Sequence, residues 1–122
     1  MELRICNKCG ALIEVLKDCT CENCGIKCCG EQTKVVVPNS VDASFEKHVP
    51  TYEVIGHYIV ARVNHVMEED HYIEYIALDS DKVNAKKYFK AGEVASAVFP
   101  YIPGSKLFAY CNKHGVWETE VK

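Results

Sequence analysis

Positive charge is outnumbered in this chain. Fourteen Lys and Arg stand against seventeen Asp and Glu, a formal net charge of −3. Phosphate binding needs a basic surface, so the balance argues against nucleic acid as the main partner, although local fields can oppose a net charge. Long apolar runs are missing too. No window approaches the roughly 20 apolar residues that span a membrane. The opening stretch, MELRICNKCG, has no apolar core and no cleavage pattern of the signal type. The expectation is a cytoplasmic protein in a reducing setting, with no membrane partner. Sustained helical periods with caps are also absent, which leaves strands as the main element.

What is present is ordinary in bulk, 48% hydrophobic and 25% charged residues, as in a soluble globular protein of one or two small domains. The cysteines are unevenly placed. Seven of eight precede residue 30, and the eighth, Cys111, stands beside His114 in YCNKHGVW. In a reducing compartment clustered cysteines hold metal more often than they form disulfides. Composition changes near residue 37. Residues 1–36 are too short to bury much surface, and a chain of below about 40 residues usually needs a metal or disulfide. Residues 37–122 hold Val-, Ile- and Tyr-rich runs such as TYEVIGHYIVARV and HYIEYIALDS, punctuated by Pro and Gly, which suggest a small antiparallel β-sandwich.

The head contains CNKCG (Cys6, Cys9) and DCTCENCGIKCCG (Cys19, Cys21, Cys24, Cys28, Cys29). Two residues between cysteines let one tight turn aim two thiolates at one ion, and the glycine that follows supports that turn. Three sets are open. Cys6/Cys9 with Cys21/Cys24 would make zinc-ribbon or rubredoxin-like knuckles, Cys6/Cys9 could pair with Cys28/Cys29, and an iron–sulfur cluster could use another subset. For the head taken alone, a metal that staples a small fold outweighs a catalytic role.

Five histidines follow: His48, His57, His65, His71 and His114. A lone histidine is usually a surface or satisfied core residue, and His57 in VIGHYIV reads that way. Cys111 and His114 can chelate one ion from a single turn, and His65 and His71 can do so from the two ends of a short loop. Neutral imidazoles plus one thiolate suit a divalent transition metal, and five ligands on one ion favour iron over zinc.

EKHVP, NHVMEEDHYIEYI and CNKHGVW together resemble the superoxide reductase family, meaning desulfoferrodoxin and neelaredoxin. The resemblance implies an all-β chain whose catalytic domain is an immunoglobulin-like β-sandwich. It implies iron with His48, His65, His71 and His114 in a plane, Cys111 on the axis, and a sixth position open to superoxide. It further implies a rubredoxin-like electron donor and a homodimer. Cys6, Cys9, Cys28 and Cys29 match the four cysteines of the family's desulforedoxin-like head. The insertion CTCENCG adds Cys19, Cys21 and Cys24, so the head centre is open between iron, zinc and an iron–sulfur cluster. Lys47 would place positive charge near the open position; at about 4 Å, opposite unit charges attract by roughly 4 kcal/mol at an effective dielectric near 20. By resemblance, Glu46 closes over the oxidised iron. Without it, both would read as a solvated surface pair. Asn112 and Lys113 amides are candidate donors to the Cys111 sulfur, Tyr110 and Trp117 read as packing around the turn, and Glu68, Glu69 and Asp70 as a solvated loop. Lys86, Lys87 and Lys90 read as surface, with docking of an acidic donor as the lesser alternative. Two other readings remain: an electron-transfer or structural metal module without superoxide chemistry, and a zinc-ribbon nucleic-acid binder that leaves the histidines unexplained.

Overall fold

The computed structural model describes residues 1–22 and 25–122, and the side chains of all of these except 45 and 46. The chain divides into two compact units, Met1–Val37 and Pro38–Lys122. Both are built from antiparallel strands. Among the described residues no helix is long and apolar enough to cross a membrane.

In the first unit, β1 (Glu2–Ile5) lies between β2 (Leu12–Val15) and β5 (Lys34–Val35), while β3 (Lys27–Cys28) and β4 (Glu31–Gln32) form a separate hairpin. Its buried described residues are Leu3, Cys6 and Thr33. An apolar core of that size cannot hold a fold by hydrophobic burial alone, so a cross-link through the cysteines is the remaining source of stability. Two turns shape it. Cys6 N–H donates to Ala11 O at 3.0 Å and Gly10 N–H to Cys6 O at 2.8 Å, closing the CNKCG knuckle. In CCGE, Cys28 pairs with Glu31 across Cys29 and Gly30, whose φ values are 55° and 77°. Positive φ at both central residues is the type I′ hairpin turn.

The second unit begins with a single helical turn, α1 (Phe45–His48), which the sequence reading did not anticipate. Four residues are too few to show a period, and Pro50 stops the helix two residues on. Seven strands follow: β6 (Thr51–Ile55), β7 (Tyr58–Arg62), β8 (Ile73–Asp79), β9 (Asn84–Tyr88), β10 (Ser96–Pro100), β11 (Lys106–Cys111) and β12 (Gly115–Glu120). They form a three-stranded sheet, β10-β7-β6, and a four-stranded sheet, β12-β11-β8-β9. Their facing sides share one core of Ile59, Ala61, Ile73, Ile76, Leu78, Ala97, Phe99, Leu107, Ala109 and Cys111 among others. This is an immunoglobulin-like sandwich, all-β as expected. Each fully buried Ile, Leu or Phe contributes about 1.5–3 kcal/mol. His57 sits exposed in the two-residue turn between β6 and β7.

One irregularity positions the site. Leu107 pairs with Leu78 and Ala109 with Ile76, but Cys111 pairs with Ile73, so β8 uses one more residue than β11. Regular alternation from Ile76 would turn Glu74 inward and Ile73 outward. The bulge absorbs Glu74, and Ile73 faces the core at 0% exposure. Cys111, also 0% exposed, therefore ends the inward row Leu107–Ala109–Cys111 with its sulfur at the rim of the core.

Candidate metal centres

Four segments bring donors to that rim. Cys111 comes from β11. Asn112, Lys113 and His114 form the tight turn to β12, which Gly115 completes with φ of 78°. An added Cβ there would meet Val41 Cγ2 at 3.4 Å, close to an ordinary contact, so it is the positive φ that favours glycine. His65 and His71 lie at the ends of the loop before β8, where Glu68 and His71 exchange N–H···O bonds of 2.9 and 3.2 Å. His48 ends α1. The residues expected to share one ion do meet: one donor atom each from His48, His65, His71, Cys111 and His114 lies within 4.8 Å of every other.

Hydrogen bonds outside the cluster decide which ring nitrogen faces in. His48 Nδ1 lies 2.6 Å from Ser44 O and His65 Nδ1 2.5 Å from Val66 O. A carbonyl only accepts, so each Nδ1 carries the proton and each Nε2 presents its lone pair. His48 Nε2 is 3.0 Å from His114 Nδ1, and the Cys111 sulfur is 3.5 Å from His65 Nε2 and 3.7 Å from His114 Nδ1. The His71 ring stands edge-on to those of His65 and His114, at 4.6 and 5.0 Å between centroids. His71 Nε2 is buried with no hydrogen-bond partner. Burial holds His48 and His65 below the ordinary imidazole range; the carbonyl bonds pull the other way and neighbouring rings reinforce the fall. Both therefore favour the neutral form, which can ligate.

Inward-facing lone pairs with an orphaned nitrogen are costly unless a cation meets them. Donors opposite one another across an ion stand about two metal–ligand bonds of roughly 2.0–2.3 Å apart, and the observed spread fits. The imidazole and thiolate mix suits a transition metal. Behind the donors, Trp117 is 0% exposed, stacks on His48 at 4.9 Å, and donates its Nε1–H to His114 O at 3.0 Å. It is packing, and also a tether that sequence gave no means to see. In front lies a cleft of about 470 Å³ bordered by Asp42, Lys47, Glu68 and the rings of His48, His65, His71 and His114. Glu46 is in α1, its side chain outside the described set.

Two expectations change. The Asn112 amide does not serve the sulfur, because it donates to Tyr72 O at 3.2 Å, extending the β8–β11 pairing by one bond. The 68–70 run is not purely solvated: Asp70 pairs with Lys113 at 3.6 Å, and its carbonyl accepts from Asn112. Lys86 and Lys87 lie on β9, where Lys87 Nζ binds Ser96 O at 3.0 Å and sits over the Phe89 ring.

In the first unit the described cysteines that converge are Cys6, Cys9, Cys28 and Cys29, again within 4.8 Å. Cys9 and Cys28 sulfurs are 3.6 Å apart, and Cys28 and Cys29 3.9 Å. A tetrahedron of bonds near 2.3 Å has edges of about 3.8 Å. The Cys9 N–H, 3.5 Å from the Cys6 sulfur, lowers that thiol to about 7, while contact with the Cys9 thiol, then Cys6, pushes Cys28 up to about 12. Four thiols so placed share protons badly and a cation well. Cys21 is an exposed free thiol outside the group, and Cys19 is disulfide-bonded, where the sequence favoured metal binding over disulfides. Cys24 lies outside the described residues.

Fold and site together define a small β-sandwich metalloprotein with a mixed imidazole–thiolate centre. A family model for desulfoferrodoxin matches residues 40–120. Desulfoferrodoxin of Syntrophotalea carbinolica is 36% identical, over 98% of this chain and 96% of that protein. That of Desulfarculus baarsii is 41% identical, over 94% and 92%. The crystal structure of the superoxide reductase from Treponema pallidum superposes with a TM-score of 0.71 at 26% identity, covering 97% of this chain and 98% of that one. The chain belongs to the desulfoferrodoxin family, within the superoxide reductases its motifs resemble, and so stands among oxidoreductases.

Proposed function

We propose that the chain reduces superoxide to hydrogen peroxide, with His48, His65, His71, His114 and Cys111 holding iron. The observation that carries this is an orphaned His71 nitrogen among five converging donors, at the back of a cleft with a lysine on its wall. Bound iron would supply a single electron and one open position. The chain does the rest. Cys111 offers one soft, charge-donating sulfur among nitrogens. The rings of His48 and His65, fixed by carbonyls, would turn their Nε2 lone pairs toward the ion. Lys47 gives the anion a positive target and can order water for the two protons that the product needs. Asp42 and Glu68 share the cleft, so Lys47 supplies its attraction against local negative charge. Closure by Glu46 is part of the proposal on family resemblance.

We assign the second metal to Cys6, Cys9, Cys28 and Cys29, as iron or zinc, the thiol spacing being that of a single tetrahedral ion. A rubredoxin-like donor, a homodimer and a cytoplasmic setting complete the proposal, and rest on the family likeness and the sequence. The test is to mix reduced, iron-loaded protein with a pulse of superoxide. Superoxide should vanish with peroxide formed and no oxygen evolved. Oxygen evolution would mean dismutation, and an unaltered decay would leave only a metal-binding or electron-transfer module.

A further inference from the structure

We infer that Asn112 is a positioning residue: its side-chain amide locks the turn carrying Cys111 and His114 to the loop carrying His71, and so sets the separation of donors from the two segments. This rests on reading the five-residue group as a metal centre. The β8–β11 ladder ends at Ile73 and Cys111. One further backbone bond, from Asn112 N–H to Tyr72 O at 3.2 Å, follows before the chains part, one into the 112–114 turn and the other into the loop before β8. Asn112 spans that gap with both ends of its amide. Oδ1 accepts the Tyr72 N–H at 3.0 Å, and Nδ2 donates to Asp70 O at 3.0 Å. A primary amide presents its oxygen and an N–H on one side, so Asn112 engages both of these backbone groups while the main chain turns away.

Asp70 and Tyr72 are the two neighbours of His71, so the bonds grip the backbone on both sides of that ligand. The Glu68–His71 bonds shape the loop internally but do not place it against the turn. The Lys113–Asp70 pair does bridge them, yet its side chains are 50% and 79% exposed, and such pairs hold little. A planar amide offers one acceptor and one donor edge at fixed spacing; alanine offers neither and aspartate only the acceptor. The quantity under control is the approach of His71 to His114, 5.0 Å between ring centroids.

The test uses the full chain loaded with iron enriched in its Mössbauer isotope, because the spectra separate iron held by four sulfurs from iron held mainly by nitrogen. A chelator competes for the metal, and the oxidised protein's thiolate-to-ferric absorption is recorded alongside. Loss of an outer-shell partner typically costs about 10–100-fold in metal affinity. Asn112→Ala should lose that much at the nitrogen-rich site and shift the absorption, with the four-sulfur iron unchanged as internal reference. Asn112→Asp should fall between Asn112→Ala and the parent, and carries the test if the alanine variant does not fold. Lys113→Ala should stay within about fivefold, as for an exposed pair. A folded Asn112 variant with the parent's affinity and absorption overturns the inference. A parent chain that takes no iron at a nitrogen-rich site overturns the metal reading itself, before any variant is made.

Discussion

Replacing Trp117 by phenylalanine isolates one strut of the centre. The substitution keeps an aromatic ring against His48 but removes the indole N–H that holds His114 O at 3.0 Å. Trp117 is 0% exposed, so the carbonyl loses its partner where water does not readily replace it. An orphaned buried acceptor costs about 1–3 kcal/mol, and the smaller ring leaves a void that adds about 1 kcal/mol. The expected destabilisation of the second unit is about 2–4 kcal/mol, a factor of roughly 30 to 1,000 in its folding equilibrium at 1.36 kcal/mol per tenfold. At about 4–8 °C per kcal/mol for a domain of this size, its thermal transition should fall by at least about 8 °C. Differential scanning calorimetry of the metal-free full chain measures this, with Trp117→Ala expected to cost more, about 3–5 kcal/mol. A Trp117→Phe transition within about 2 °C of the parent would refute the argument, and with it the claim that the indole supports the His114 turn.

Lys47→Ala should slow the encounter with superoxide and flatten its salt dependence; stopped-flow or pulse-radiolysis rates at two ionic strengths would remove Lys47 from the mechanism if unchanged. For pH, His48 and His65 are lowered in the folded state, so the unfolded chain binds more protons near and below about pH 6.5. Their contribution is present above that pH and is lost as the medium is acidified. The metal-free melting temperature should therefore drop between about pH 7 and 5, above the main carboxylate range, and a flat profile contradicts the assignment. Cys28→Ser should remove one bound metal per chain by elemental analysis, whereas Cys21→Ser should leave the content intact. Gly115→Ala forces a side chain to φ of 78°; a cost of about 1–2 kcal/mol in urea unfolding is expected, and a neutral change would show that the turn relaxes.

Two of the donor pairs were legible because their spacing is local, His65 and His71 bracketing one loop and Cys111 and His114 one turn, while His48 and the grouping of all five came from the resemblance of EKHVP and its companion motifs to a known family. The strands were legible from Val, Ile and Tyr runs. Spacing alone left the choice among seven head cysteines open, and only the family resemblance pointed to Cys6, Cys9, Cys28 and Cys29, because their convergence depends on the I′ turn at Cys29 and Gly30, and a cysteine at positive φ has no sequence signature. Nor could hydrophobic patterning reveal the extra residue in β8, since Ile73, Tyr75, Ile76, Ala77 and Leu78 are all buried and leave no alternation to read. The supports from Ser44 O, Val66 O, Asn112 and Trp117 are backbone or long-range bonds, some linking residues 40 or more positions apart, and no motif encodes them.

The offset at Glu74 puts the two ends of β8 in different phases. Positions after it keep time with the sandwich interior, and positions before it keep time with the ligand loop. Interior substitutions can therefore accumulate without rotating the histidines, whereas loss of the bulge with Glu74 retained would swing Ile73 outward and carry His71 with it. Anyone transplanting the centre onto another sandwich would have to move residues 44–48, 64–76 and 106–117 together, offset included, since the same residues on an evenly pleated strand would face the wrong way.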